Sequence, residues 1–197
     1  MEKIINLLRE SGAMLEGHFL LSSGKHSDRY FQCAKLLQYP EKTKIVFEQV
    51  VSQITQDIKD GKLKIDLVVG PAMGGIIAAW EVARQLNICA IFTERDENGV
   101  MCIRRGFEIQ EGQNVLIVED VVTTGKSSME CAKALEAAGA KIAALACVVD
   151  RRAEGVQDIP WTFYPAVKLQ AKTWDAGECD LCKQDLPLEK PGSRKIV

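Results

Sequence analysis

Hydrophobic positions along this chain change their spacing several times, and each change marks a new element. Ile4, Ile5, Leu7 and Leu8 fall on one face of a short amphipathic helix that ends near Ser11 and Gly12. Between Gly17 and Cys33, two short apolar stretches flank a Ser/Gly-rich turn, which predicts a hairpin. Pro40 suits the first turn of a long helix running to about Asp60, with Ile45, Val46, Val50, Ile54 and Ile58 as its apolar side. From there strands and helices alternate. Ile65 to Val69 reads as a strand, Gly75 to Leu86 as a helix, Ile88 to Phe92 as a strand and Val115 to Val118 as another. Lys126 to Ala138 is a helix and Ile142 to Val149 a strand. Such alternation predicts an α/β fold with a mainly parallel sheet flanked by helices. The order breaks between Thr93 and Gly112, where the charged run Glu94 to Gly99 precedes Val100 to Phe107; this predicts an exposed loop on a pair of short strands.

Composition narrows the classes without choosing one. At 197 residues and 47% apolar, the chain has the size and make-up of an ordinary globular domain. A net charge of −2 with no basic stripe argues against a nucleic-acid partner. No apolar run approaches a membrane span and Met1 to Ile4 begin no secretory signal, so a cytoplasmic protein without membrane contact is expected. The seven cysteines are an odd number, and Cys33, Cys89, Cys131 and Cys147 stand in apolar stretches, so they read as reduced core thiols. Cys179 and Cys182 form a Cys-x-x-Cys pair. Zinc wants four ligands, and only His18 and His26, far upstream, are left to join; two exposed or packed thiols on a C-terminal appendage is the preferred reading, with no function attached.

The chemistry concentrates in Val115 to Ser128. Four apolar residues in a row, Val115 to Val118, read as a buried parallel strand, which Glu119 and Asp120 close. Val121, Val122, Thr123, Thr124 and Gly125 follow, and Lys126 and Ser127 open the next helix. Ligands of doubly wound sheets sit beyond the carboxyl ends of strands, where this turn falls. Its backbone N–H groups and hydroxyls, at a helix N-terminus, suit a phosphate dianion. The two carboxylates suit the vicinal hydroxyls of a sugar. A P-loop is excluded, because the position five residues before Gly125 is Asp120 rather than glycine. Gly70 to Gly75 makes a second side-chain-poor turn between a strand and a helix, where Ala72, Met73, Gly74 and Gly75 let backbone approach an anion. Arg95, Arg104 and Arg105 in the charged segment could meet the negative charge of a departing pyrophosphate.

Taken together, the Val115 to Ser127 pattern resembles the phosphoribosyl-pyrophosphate motif of type I phosphoribosyltransferases. The segment from Phe19 to Phe31 resembles the hood of the orotate phosphoribosyltransferases, and Val149, Asp150, Arg151 and Arg152 resemble that family's orotate-reading strand end. The resemblance runs from about Leu15 to Arg152. Where the best-known family pattern carries lysines, this chain offers Arg95 in the loop, Gly74 in the pyrophosphate turn and Ser22 before the hood's Ser-Gly. It looks closest to a short-loop bacterial branch.

The resemblance implies a type I phosphoribosyltransferase fold in one domain, with a hood at about 15–38, a core at about 40–152 and a C-terminal appendage at about 153–197. It implies transfer of the 5-phosphoribosyl group from phosphoribosyl pyrophosphate to orotate, with Mg²⁺ as cofactor, held mainly through the substrate. Glu119, Asp120, Arg95, Arg104 and Arg105 would serve catalysis. Residues 119–127 and 72–75 would bind phosphoribosyl pyrophosphate. Arg151, Thr123, Tyr30 and Phe31 would bind orotate, Arg151 through the bidentate fit of a guanidinium to a carboxylate. A homodimer is implied, with the loop reaching across to the neighbour. The rivals are transfer to another nucleobase, and a regulator that senses phosphoribosyl pyrophosphate without reacting.

Overall fold

The computed structural model describes residues 1–21, 23–153 and 158–191. Ser22 falls outside the described residues. A six-stranded sheet takes β3 (Leu67–Pro71), β4 (Ala90–Arg95), β5 (Met101–Ile103), β6 (Asn114–Val122), β7 (Lys141–Asp150) and β8 (Thr162–Lys168) in the order β5-β4-β3-β6-β7-β8. Every pairing is parallel except β4 with β5. β6 therefore runs in the middle, and its carboxyl end opens beside those of β3 and β7.

Period-2 burial divides the core in two. Leu116 and Val118 of β6 pack with α3 (Pro40–Lys59) and α4 (Gly74–Leu86) on one face. Val115 and Ile117 pack with Cys131, Ala132 and Leu135 of α5 (Lys126–Ala137) on the other. Both faces being covered explains the unbroken apolar run. Along α3 the buried stripe is Thr43, Val46, Phe47, Val50, Val51 and Ile54, while Ile58, expected on that side, is exposed.

A second, three-stranded sheet forms the hood: β1 (Met14–Leu20), β2 (His26–Phe31) and β9 (Thr173–Trp174) in the order β1-β2-β9. α1 (Glu2–Glu10) and the four-residue α2 (Ala34–Leu37) seat it on the core through Ile4, Leu8, Leu36 and Leu37. The expected hairpin and the strand–helix alternation are present. Three corrections follow. β8, drawn from the stretch expected as an appendage, completes the core sheet; Pro165 stands in it without breaking the ladder because β8 is an edge strand. Cys89 is exposed, whereas Cys33, Cys131 and Cys147 are buried. β5 ends at Ile103, so Arg104 and Arg105, expected within the strand pair of Val100 to Phe107, lie beyond it.

Candidate functional site

β6 extends past its apolar run, so that Glu119 and Asp120 are strand residues rather than the start of a turn. Glu119 is buried, and burial together with the neighbouring Asp120 charge pushes its carboxyl up to about 8. Burial also raises Asp120, whose Oδ1 accepts a hydrogen bond from the Val121 N–H at 2.8 Å. Asp120 faces the other turn directly: a Cβ on Gly74 would land on its carboxylate. A Cβ on Gly75 would approach the Val118 carbonyl oxygen to 2.8 Å, and one on Gly70 would overlap the Gly75 carbonyl. Glycine at 70, 74 and 75 is therefore required by close approach, and it brings the start of α4 against the end of β6. Ala72 N–H donates to the Thr93 carbonyl of β4 at 2.7 Å, and the Ala72–Met73 peptide is cis.

After β6 the chain turns through Thr123 and Thr124, both exposed, to Gly125, which takes a left-handed φ of 75° and caps α5 without a side-chain bond. The Thr124 hydroxyl accepts from Lys126 N–H at 3.3 Å. Glu119, residues 121–127 and Ser128 line an open cavity of about 300 Å³ over this helix end. The orphan N–H groups of a first helical turn favour an anion there.

Arg151 stands beside the acid pair: its backbone N–H donates to the Val122 carbonyl at 2.8 Å. Its guanidinium stacks on the Phe31 ring of the hood at 4.8 Å, and its buried Nε has no hydrogen-bond partner among the described residues. Burial lowers its proton affinity below the ordinary arginine value. Arg152, the next residue, is committed elsewhere. It grips Asp150 at 3.0 and 3.1 Å and lies over Phe163. Tyr30 packs on Phe19, with ring centroids 6.1 Å apart, leaving Phe31 as the aromatic against Arg151. Cys33, unnoticed as a site residue in the sequence, is buried within electrostatic reach of both Asp120 and Arg151. Only its apolar neighbours were legible, and these mark a core thiol equally well.

The three loop arginines are not gathered at this cavity. Arg95 pairs with Glu130 of α5 and donates to the Gly99 carbonyl at 2.6 Å, lining a separate cavity with Val100, Met101 and Lys133. Arg105 takes Glu94 in a two-pronged bond at 3.0 Å each and covers the Phe92 ring, and Arg104 approaches the same carboxylate at 3.9 Å.

The chain matches the Phosphoribosyl transferase domain family over residues 41–180. It is 47% identical over 195 residues to the orotate phosphoribosyltransferase of Caldanaerobacter subterraneus subsp. tengcongensis, covering 99% of this chain and 98% of that one. Its fold is similar to that of orotate phosphoribosyltransferase from Aeropyrum pernix, with a TM-score of 0.67, 24% identity, and 84% and 93% of the two chains covered. It is also similar to Leishmania donovani UMP synthase, with a TM-score of 0.68 and 23% identity over 85% of this chain, spanning 36% of that longer protein. At these identities the solved structures speak to the fold alone.

Proposed function

The chain belongs to the phosphoribosyltransferase family, with the orotate phosphoribosyltransferases, and we propose that it joins orotate to 5-phosphoribosyl pyrophosphate, giving orotidine 5′-monophosphate and pyrophosphate for pyrimidine nucleotide synthesis. The observation that carries the choice of base is Arg151: a half-buried guanidinium with an unpartnered Nε, stacked on Phe31 beside the end of β6. A planar carboxylate fits that fork, and a base without one would leave a desolvated charge unmatched.

In the reaction the bond from ribose C1 to the pyrophosphate oxygen breaks and a bond to orotate N1 forms as the N1 proton is lost to solvent or to the departing pyrophosphate, and positive charge grows on the ribose in between. Glu119 and Asp120 accept hydrogen bonds from the ribose diol, and the growing positive charge draws them into their ionised form; in so desolvated a position that attraction is strong. The 123–127 turn holds the 5′-phosphate, so binding energy from a group that does not react positions the carbon that does. The backbone of Ala72 to Gly75 approaches the pyrophosphate. The oxygen donors here, the Glu119 and Asp120 carboxylates, suit a hard ion such as Mg²⁺ whose other ligands come from the substrate; when bound it supplies charge neutralisation to the diphosphate.

A homodimer is part of the proposal. Met73, at the cap of α4, and Ile77 and Trp80 within it are 84, 49 and 60% exposed on one face that begins at the pyrophosphate turn, and a second copy would cover it. No helix among the described residues is long and apolar enough to cross a membrane, and a cytoplasmic enzyme is part of the proposal because both proposed substrates are small, highly polar metabolites.

The test is product formation with phosphoribosyl pyrophosphate, Mg²⁺ and a panel of bases, on the parent and on Arg151→Ala. The parent should consume orotate and use uracil, hypoxanthine and adenine far more poorly. Arg151→Ala should lose about 2–3 kcal/mol of transition-state binding for orotate, roughly 30- to 150-fold in kcat/KM. Equal turnover of uracil and orotate by the parent would overturn the assignment.

A further inference from the structure

Where β1 and β2 of the hood meet the C-terminal segment, four side chains that the sequence scatters over more than 160 residues point at one another. His18 Nε2 and His26 Nδ1 are 2.8 Å apart. Cys179 Sγ is 3.4 Å and Cys182 Sγ 3.7 Å from His18 Nε2, and Cys182 Sγ is 3.3 Å from His26 Nδ1. All four ligand atoms lie within 4.8 Å of one another, and His18, His26 and Cys179 are buried. We infer that His18, His26, Cys179 and Cys182 form a structural zinc site that clamps the C-terminal segment onto the hood.

Pairwise hydrogen bonding does not account for the cluster. His18 Nδ1 lies 2.9 Å from the Leu186 carbonyl oxygen, which can only accept, so Nδ1 carries the ring proton and Nε2 presents a lone pair. That single lone pair faces a ring nitrogen and two sulfurs at once. One donor can use it; three groups converge because something at the centre draws all four. A tetrahedral zinc, with bonds of about 2.0–2.3 Å, sets nitrogen and sulfur ligands about 3.3–3.8 Å apart; the sulfur–nitrogen distances here match, and the His18–His26 pair needs to open by only about half an ångström. A carbonyl on the outer nitrogen of a ligand histidine is the usual arrangement for fixing ring and tautomer. Four protein ligands leave no open position, which marks the site as structural rather than catalytic.

The strand register is built for it. An extra residue in β1 between Glu16 and Phe19, at Gly17 and His18, shifts the pairing with β2 from Glu16↔Arg29 to Phe19↔Ser27. Opposed residues share a face, so the shifted register puts His18 on the same face as His26; without the bulge the two rings would lie on opposite faces. The segment that brings the cysteines has little else to hold it. From Asp175 to Lys190 Cys179 is the one buried residue, and Leu186 and Leu188 are 44 and 43% exposed. Yet this stretch folds into two short 3₁₀ turns, at Ala176–Glu178 and Cys182–Gln184, and pairs Glu189 with Phe19. Apolar burial does not supply that order, whereas a metal crosslink does. Zinc suits two thiolates and two imidazoles better than harder ions, and the two thiol protons leave as it binds.

The experiment uses the full-length protein. As purified under reducing conditions it should hold about one zinc per chain. After removal of zinc, one equivalent of cobalt(II) should give the visible bands of a tetrahedral site with a near-ultraviolet thiolate band. Cys182→Ser, at an exposed position, should weaken cobalt binding by about tenfold or more and diminish the thiolate band, while Cys89→Ser, also exposed but outside the cluster, should leave both unchanged. No tetrahedral spectrum from the parent, or an equal one from Cys182→Ser, would overturn the site. So would a thiol count two below the seven cysteines, taken in denaturant with a zinc chelator on protein purified anaerobically without reductant, which would mark a Cys179–Cys182 disulfide instead. None of these readouts depends on orotate turnover.

Discussion

Charged groups sit in two regions of this molecule under opposite physical regimes. At the ends of β6 and β7, Glu119, Asp120 and Arg151 are desolvated, and burial pushes each toward its neutral form: the two acids up, the arginine down. On the β4–β5 flap, Glu94 and Arg105 hold each other in a two-pronged bond that pushes both toward the charged form. The flap is a self-satisfied surface network, of the kind that contributes little to stability. The strand ends are the reverse. They hold ionisable groups that the chain itself leaves unmatched, and charging them is unfavourable unless a ligand supplies the counter-charge. A sugar diphosphate with its divalent ion, together with a carboxylate base, supplies both signs.

The largest effect should come from cancelling one of the unmatched charges. Asp120→Asn keeps the Oδ1 that accepts from Val121 N–H and keeps the shape pressed on Gly74. Folding stability should be unchanged or slightly higher, because a desolvated charge is removed, while kcat falls by about 10³-fold. Thermal melting and steady-state kinetics on the same preparation separate the two. Parental kcat in Asp120→Asn would dissolve the contrast between the regions, since the strand-end charge would then serve no chemistry.

How much of this contrast the sequence displayed differs between the two regions. The acid pair and its turn were legible because one continuous stretch carries strand, carboxylates, turn and helix start. Arg151 was legible only by resemblance; that Arg152 is the structurally committed partner depends on Asp150, which the sequence offers equally to both. The flap is harder to read because the arginines are visible as charges while their partners are not: Glu130 lies on a helix 35 residues away, and where β5 stops decides whether Arg104 and Arg105 lie on a strand. The His–Cys cluster was set aside for the same reason. A one-residue bulge decides which face His18 takes, and nothing in the spacing of His18 and His26 announces it.

A pH series sharpens the comparison. The Glu119 carboxyl sits at about 8 in the folded chain, above its value in the unfolded chain, so the folded state binds the extra proton. Its stability is then fullest at pH below the unfolded value and declines as pH rises through 8. Glu119→Gln removes that dependence. Melting temperatures of the ligand-free proteins should coincide near pH 5 and separate progressively up to about pH 9, where the variant is more stable by up to about 4 kcal/mol. Parallel curves across this range would show that Glu119 is not desolvated, and the strand end would then resemble the flap.

The smallest effect on the chain that carries it is expected at Arg95, and it tests whether the flap serves a site at all. Within its own chain Arg95 is 41% exposed, pairs with Glu130 and does not line the acid-pair cavity. Arg95→Ala should therefore shift stability by no more than about 0.5 kcal/mol. If the flap lends this arginine to the neighbouring subunit's pyrophosphate, the same substitution lowers kcat more than it raises KM for orotate, because the charge it meets develops as the bond breaks. Mixing decides where that arginine acts. In a heterodimer of Arg95→Ala with Asp120→Asn, one site combines the intact Asp120 of one chain with the intact Arg95 of the other, and the second site lacks both. Random reassortment makes half the dimers mixed, so activity should recover to about a quarter of the parental level. Confirmed heterodimers with no recovery would mean either that the loop serves its own subunit or that Arg95, held by its ion pair with Glu130, takes no part in catalysis.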